Sequence, residues 1–167
     1  IMPGSLPVYD ADTRNDIMRR DLTEVTVQPG TNGCVAQSGV LVDRYSGDSI
    51  QYAAGEDRVG IDHFVSLSDA WQRGAQGWDL ETRTRFANDP LNLVAVATTL
   101  NAQKSDGDAA TGYPQQGLPL HLRRSPSYPV KKQYSLWVTE AERSAMLGVL
   151  GTCRQQDYPR TDPLPSR

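Results

Sequence analysis

Glycine and proline interrupt this chain so often that it can hold only short helices and strands. The 167 residues include 14 glycines and 11 prolines, and both residue types tend to end regular structure. Such frequent interruptions exclude a long coiled coil. No apolar run reaches the ~18 residues needed to cross a bilayer. With 38% hydrophobic and 22% charged residues, the chain is too apolar for disorder. We therefore expect one loop-rich globular domain.

Local patterns predict an α+β fold that begins with a small antiparallel sheet. The segments with strand patterns are 23–28, 39–45, 48–53, 58–62, 92–96 and 132–138. Helical patterns cover 16–22, 67–73, 79–87 and 98–104. A capping box formed by Thr139 and Glu142 predicts a final helix that Gly151 ends.

Composition also suggests the limits of the folded domain. We expect residues 1–11 to be a flexible lead and residues 12–153 to form the single domain. Residues 154–167 hold three prolines and no apolar period, so we expect a disordered tail. The start of the chain lacks the pattern of a signal peptide, and we expect any secretion signal to have been removed.

The charge of the chain is mildly acidic but unevenly distributed. The net charge is −3, which argues against a protein that holds polyanions by bulk charge alone. Residues 1–118 carry 9 basic and 16 acidic side chains, whereas residues 119–167 carry 8 basic and 4 acidic ones. If a polyanion binds, basic groups after Pro119 should help. The candidates are Arg123, Arg124, Lys131 and Lys132, for which a solvated surface is an equally good interpretation.

Two cysteines leave two readings open. Cys34 and Cys153 are too few and too far apart to form a zinc knuckle. They could close one long disulfide loop if the protein is exported. The alternative is a pair of buried thiols in a cytosolic protein.

One group of polar residues has the composition of a catalytic site. Asp62 and His63 end a predicted strand, Asn92 begins the next, and Asn101 and Lys104 lie on the helix that follows. Adjacent strand residues face opposite sides, so Asp62 and His63 share a pocket only if the backbone twists or bulges. Asn101 and Lys104 are three apart and share a helix face. Together these groups could cradle a phosphodiester.

In this order and spacing the residues resemble the HNH, or ββα-metal, endonucleases. The match is widest with small exported bacterial nucleases related to the C-terminal domain of the GmrSD restriction enzymes. The further motifs that carry it are Thr13-Arg14-Asn15, Arg20-Asp21-Leu22, Ser38-Gly39, Asp43-Arg44-Tyr45-Ser46-Gly47, Asp69-Ala70-Trp71, Arg85-Phe86-Ala87-Asn88-Asp89, Asn92-Leu93 and Cys153.

The resemblance implies a metal-dependent endonuclease that cuts DNA, or RNA, with little sequence specificity and leaves 5′-phosphate and 3′-hydroxyl ends. His63 would be the general base, because imidazole can accept a proton from water near neutral pH. Asp62 and Asn101 would be oxygen ligands of one Mg²⁺, with Mn²⁺ as a possible substitute. Asn92 would hold the loop that orients His63.

The same resemblance implies that Lys104, together with Arg14 and Arg85, contacts the phosphate backbone. It also implies a secreted protein that needs no membrane and no obligate protein partner. A different class of function stays open, namely an exported domain that keeps the fold for binding but has lost catalysis. Asp106 and Asp108 could hold a second cation, although a solvated turn is the simpler interpretation.

Overall fold

The computed structural model describes residues 13–111 and 127–151. The strands are β1 (Leu22–Val27), β2 (Ala36–Val42), β3 (Ser49–Ala53), β4 (Val59–His63) and β5 (Leu93–Ala97). The α-helices are α1 (Thr13–Asp21), α2 (Leu67–Gln72), α3 (Leu80–Ala87), α4 (Thr98–Lys104), α5 (Ser127–Gln133) and α6 (Glu140–Leu150), and a 3₁₀ turn spans Ala75–Gly77. The predicted α+β class is confirmed. None of the helices in these two ranges is long and apolar enough to span a bilayer.

The first sheet is antiparallel, with strand order β1-β2-β3. Strands β2 and β3 pair without interruption from Ser38 opposite Ala53 to Val42 opposite Ser49, and the predicted turn at 46–47 joins them. A Cβ atom on Gly39 would lie only 3.0 Å from the Thr23 carbonyl oxygen. Glycine therefore lets β1 approach β2 closely at this point.

The second sheet consists of β4 and β5 alone, and the two faces of this pair are buried against different parts of the molecule. Odd-numbered positions, including Val59, Leu93 and Ala95, pack in one cluster with Ile17 and Met18 of α1. Even-numbered positions, Val94 and Val96, pack in another cluster with Tyr45, Phe64 and the partly buried Leu100. A two-stranded ribbon is marginal by itself, so burial on both faces stabilises it.

Side chains occupy both outer edges of this ribbon. On the β5 edge, the Asp21 carboxylate accepts from Ala95 N at 2.9 Å and the Asp43 carboxylate accepts from Ala97 N at 2.6 Å. Arg20 donates to the Leu93 carbonyl at 2.8 Å. Backbone groups that would otherwise lack strand partners are thus satisfied. This explains in physical terms the Arg20-Asp21 pair in the sequence.

The prediction of a last strand over 132–138 is wrong. Helix α5 ends at Gln133, near the start of that range, and residues 134–139 form a turn and an irregular segment, with Ser135 at φ 54°. Val130 and Tyr134 are both buried, and their spacing of four is that of one helix face. Pro129 lies in the first turn, where the missing N–H costs nothing. The apolar run alone resembled a strand.

A third cluster joins helix α5 to the segment between β4 and β5. Its buried members are Val65, Ala70, Ala75, Phe86, Val130, Tyr134 and Leu136, with Trp78 packed against them. The rings of Trp78, Phe86 and Tyr134 lie 5.0 to 5.5 Å apart. The Tyr134 hydroxyl donates to Asp89 at 2.8 Å, and burial, followed by the hydrogen bond to Asp89, raises the pKa of Tyr134 to about 12.

Beneath this cluster lies a buried ion network. The Lys131 ammonium lies 2.7 Å from an Asp69 oxygen and 2.6 Å from a Glu142 oxygen, so α5 binds α2 and α6. Lys131 is buried and therefore provides no nucleic-acid flank. Thr139 caps α6 as predicted, accepting from Glu142 N at 3.0 Å. The Glu142 carboxylate bonds to Lys131 instead of returning to the cap.

Candidate active site

His63 closes strand β4 and its ring is fixed by a carbonyl group. His63 pairs with Leu93 across the ribbon, and its Nε2 atom lies 2.9 Å from the Ala87 carbonyl oxygen at the end of α3. A carbonyl oxygen can only accept, which assigns the proton to Nε2. The Nδ1 atom then carries the lone pair, and it accepts no hydrogen bond from the described residues. The imidazole is half-buried.

Asp62 is buried and accepts from three groups. Its Oδ1 accepts from His63 N at 2.8 Å and from Lys104 Nζ at 3.1 Å. Its Oδ2 lies 3.0 Å from Lys104 Nζ and accepts from the Tyr45 hydroxyl. A carboxylate has about four lone-pair positions. All of them are used in this arrangement.

The turn between β2 and β3 holds Tyr45 in place. Asp43 is fully buried, and its Oδ1 accepts from the backbone N–H groups of Tyr45 and Ser46 at 2.7 and 2.8 Å. Its Oδ2 accepts from Ala97 N, which anchors the turn to β5. Tyr45 is 1% exposed and reaches Asp62 from there. The sequence motif at 43–47 was visible, but its contact with Asp62 depends on packing between two sheets.

Asn92 is fully buried and clamps the loop that follows His63. Its carboxamide accepts from Val65 N at 2.9 Å and donates to the Val65 carbonyl at 3.1 Å. The Asn92 carbonyl oxygen accepts from Phe64 N at 2.8 Å. The ladder between β4 and β5 is thereby extended by two residues beyond the strand end. The neighbouring Asn88 caps α3, donating to the Thr84 carbonyl at 2.9 Å.

Helix α4 has the bounds that the sequence predicts, and Asn101 and Lys104 both face β4. The Asn101 amide nitrogen lies 3.4 Å from the Ile61 carbonyl oxygen, and Lys104 donates to the His63 carbonyl at 2.9 Å. These two carbonyls lie on the strand edge that β5 leaves open. Asn101 is half-buried, whereas the Lys104 side chain is 0% exposed.

Asp62 and His63 belong to different faces of the ribbon. The register between β4 and β5 is continuous from Val59 to His63, with no bulge. Asp62 contacts Tyr45 and Lys104, while the His63 ring contacts the end of α3. The structure therefore brings Asp62 and Lys104 into direct contact and sets Asn101 beside the same strand. His63 adjoins them through its backbone.

The expected phosphate-binding residues are placed differently from one another. Lys104 is buried on Asp62, so it contacts a phosphate only if its side chain leaves that pocket. Arg14 on α1 and Arg85 on α3 are exposed, and neither contacts the Asp62 cluster. Thr13 donates to Asn88 at 2.9 Å, which puts the start of α1 beside the end of α3. Arg123, Arg124 and Cys153 lie outside the described residues.

The oxygen donors of Asp62 and Asn101 suit Mg²⁺ chemically, but the Asp62 oxygens already have protein partners. Asp62 and Asn101 offer the carboxylate and amide oxygens that hard cations prefer. Within residues 13–111 and 127–151, no group of three or more His, Cys, Asp or Glu side chains could hold a metal ion. A cation on Asp62 would have to replace a present partner of that carboxylate.

Two further expectations concern residues outside this cluster. Cys34 is buried and forms no disulfide within residues 13–111 and 127–151; Cys153 lies outside these ranges, so its pairing with Cys34 stays a prediction. Asp108 accepts from Thr111 and from the Arg73 guanidinium, and Asp106 accepts from Ser68. Both carboxylates thus have protein partners, and Ser68 and Arg73 connect them to α2. Tyr45 and Ala87 belong to motifs that carry the family resemblance, but the sequence did not predict their contacts with Asp62 and His63.

Known proteins resemble the chain along most of its length. Residues 12–149 match the family described as GmrSD restriction endonucleases, C-terminal domain. An uncharacterized secreted protein of Arthroderma benhamiae is 37% identical over 147 residues, which cover 85% of this chain and 68% of the relative. The family match includes every site residue discussed above. The chain therefore belongs to the GmrSD restriction endonuclease C-terminal domain family, a family of the nuclease type.

Proposed function

We propose that this protein is a secreted, metal-dependent endonuclease of the HNH type that hydrolyses DNA phosphodiesters with little sequence specificity. The observation that carries the proposal is the contact between His63 Nε2 and the Ala87 carbonyl oxygen, at 2.9 Å. In a neutral imidazole this contact favours the tautomer in which Nδ1 is the proton acceptor. Family membership supplies the reaction class, and the name of the relative supports secretion.

In this proposal His63 removes a proton from the water that attacks phosphorus. Because the half-buried His63 ring and the Asp62 carboxylate lie on different sides of the ribbon, the proposal requires a phosphate that reaches both sides at the end of β4. Its orientation is fixed at two points, because Ala87 holds Nε2 and Asn92 clamps the backbone of Val65 two residues later. A general base held in this way keeps its lone pair aimed at one position. Asn92 is thus a positioning residue.

Asp62 and Asn101 are the residues that would hold Mg²⁺, or Mn²⁺ in its place. The bound ion would supply Lewis-acid stabilisation of the charge that develops on the phosphate. Tyr45 holds the Asp62 carboxylate in position through its hydroxyl. Its role is therefore to position the proposed ligand.

The substrate class follows from the exposed charges. Arg14 and Arg85 are exposed on α1 and α3, and α3 ends at the Ala87 carbonyl that holds His63. Guanidinium groups bind phosphates without reading base edges. We therefore propose backbone recognition with little sequence preference. DNA is the proposed substrate, and RNA, which carries the same phosphates, is the alternative.

A plasmid-nicking assay tests this function. The purified protein should convert supercoiled plasmid to nicked and linear forms in Mg²⁺, lose that activity in EDTA, and regain it when Mg²⁺ is restored. The products should be ligatable without prior phosphorylation, because the cut leaves 5′-phosphate ends. A labelled RNA of matching sequence separates the two substrates.

The alternative is a domain that binds nucleic acid without cutting it. The saturated carboxylate of Asp62 favours this alternative, because a metal ligand needs an open position. Retained DNA binding with no cleavage in either Mg²⁺ or Mn²⁺ would establish the alternative and contradict the enzymatic proposal.

A further inference from the structure

We propose that the ammonium of Lys104 is an internal competitor for the divalent cation at Asp62, so that the free protein binds the metal weakly. This inference rests on the proposed function, since it takes Asp62 as the metal-binding carboxylate. In the free protein, Lys104 would then bind Asp62 and would contact a phosphate only after substrate binds. Release of Lys104 from Asp62 would then couple metal binding to substrate binding.

The contacts of Lys104 are those of a cation already bound at this carboxylate. Its Nζ lies 3.0 Å from one Asp62 oxygen and 3.1 Å from the other. It also donates to the His63 carbonyl at 2.9 Å. An ammonium group therefore lies between the proposed metal-binding carboxylate and the backbone of the proposed base.

A divalent ion and this ammonium cannot share Asp62 in these positions. Mg²⁺ binds oxygens at about 2.0–2.1 Å and demands near-octahedral geometry. All acceptor positions of Asp62 are filled by Lys104, Tyr45 and His63 N. Two cations held on one carboxylate in a buried pocket would also repel one another strongly. Metal binding therefore displaces the ammonium.

The position of Lys104 in the fold permits that displacement. Lys104 is the last residue of α4, so its four-carbon stem can swing away without unwinding the helix. Ser105, which follows, has φ 52° and ψ −129°. A non-glycine residue rarely adopts this conformation, so the backbone just after Lys104 is strained.

A substrate phosphate would offer the displaced ammonium a new partner. Metal and nucleic acid would then each favour the state in which Lys104 has left Asp62. Thermodynamic linkage requires this coupling to be reciprocal. The Lys104 side chain would thus have two positions, one buried on Asp62 in the free protein and one on the substrate phosphate, as the family resemblance implies.

Mn²⁺ binding measured by calorimetry tests the inference without using activity. Lys104→Met should bind Mn²⁺ roughly tenfold or more tightly than the wild type, a change within the usual range of coupling between sites. Lys132→Met removes an exposed lysine and should leave Mn²⁺ affinity unchanged. Equal affinities of Lys104→Met and the wild type would overturn the inference, whereas plasmid cleavage in Mg²⁺ would still support the proposed function. Absence of Mn²⁺ binding in every variant would overturn the inference and the proposed metal site together.

Two additions keep the test decisive if Lys104→Met fails to fold, as judged by circular dichroism. Lys104→Gln keeps a donor for the His63 carbonyl and should also bind Mn²⁺ more tightly than the wild type. His63→Ala retains Lys104, and a short DNA duplex should raise its Mn²⁺ affinity roughly tenfold. No effect of the duplex would contradict the coupling.

Discussion

The carboxamide of Asn92 makes hydrogen bonds to both the amide and the carbonyl of Val65, at 2.9 and 3.1 Å. Asn92 is fully buried and Val65 is 2% exposed, so water cannot replace either bond. This clamp sets the path of the chain immediately after His63. It links a packing interaction to the geometry of the proposed base.

Asn92→Ala should therefore lower both stability and activity. Two buried backbone groups of Val65 would lose their partners, at a cost of about 2–4 kcal/mol. Urea unfolding measures this change, and the plasmid assay should show a reduced cleavage rate at temperatures where the variant is folded. Asn88→Ala is the control, because Asn88 is exposed and its loss should cost at most about 1 kcal/mol. Equal effects of the two substitutions would contradict the clamp.

Lys131→Met should destabilise the protein by about 3–5 kcal/mol, because it leaves the buried Glu142 carboxylate without a cation, while Asp69 keeps the Arg73 guanidinium at 3.0 Å. The affected groups are Asp69 and Glu142, both in contact with the Lys131 ammonium. Lys132 is the next residue and is exposed, so Lys132→Met should change the free energy of unfolding by less than about 0.5 kcal/mol. Urea denaturation of the two variants makes the comparison. A loss below about 1 kcal/mol for Lys131→Met would show that the network is not held as described.

The stability contributed by Glu142 should fall as the pH rises. Burial raises the pKa of the Glu142 carboxyl above its ordinary value of 4.5, with the nearby Lys131 opposing the shift and Asp69 and Asp108 adding to it. Its Oε2 has no hydrogen-bond partner in the described part of the chain. The unfolded chain releases this proton first, so the folded state binds more protons above pH 4.5 and loses stability with rising pH.

Glu142→Gln cannot titrate and isolates this effect. The free energy of unfolding of the wild type minus that of Glu142→Gln should decrease from about pH 4 to about pH 7. Urea unfolding of both proteins across that range gives the difference. An increase over the same range would mean that the pKa of Glu142 is lowered by Lys131 in the folded protein.

Tyr45→Phe should weaken the support of Asp62 without disturbing the surrounding core. The substitution removes one hydrogen bond to a buried carboxylate, worth about 1.5–3 kcal/mol, while the ring keeps its packing. Cleavage and stability should both fall. Tyr128→Phe provides the control, since Tyr128 is 59% exposed. Unchanged cleavage by Tyr45→Phe would remove Tyr45 from the proposed site.

Sequence patterns were sufficient for the elements that carry the site. Helix α4 spans Thr98–Lys104 as predicted, and β4 and β5 were each predicted to within a residue, because local periodicity specifies short elements that pack on both sides. Asn101 and Lys104 do share a face toward β4. The segment 132–138 differs: Tyr134, Leu136 and Val138 alternate as in a strand, whereas the chain ends helix α5 at Gln133 and then turns at Ser135.

The contacts of the charged side chains could not be read from spacing. The family resemblance predicts a phosphate contact for Lys104, yet this residue is buried on Asp62, and Lys131 is buried between two carboxylates. Both pairs join residues more than ten positions apart, through tertiary packing. The Ala87 carbonyl that orients His63 is a backbone group, so its contact cannot be predicted from the identity of a side chain.

The most direct test of the account compares the two histidines of the chain in one plasmid-cleavage assay with Mg²⁺. His63→Ala should reduce the cleavage rate by about 10²–10⁴-fold, the usual contribution of a positioned general base. His121→Ala removes the other histidine of the sequence, which is none of the proposed site residues, and should cleave at the wild-type rate. Circular dichroism must show both variants folded. Cleavage by His63→Ala at the rate of His121→Ala would contradict the assignment of His63 as the base.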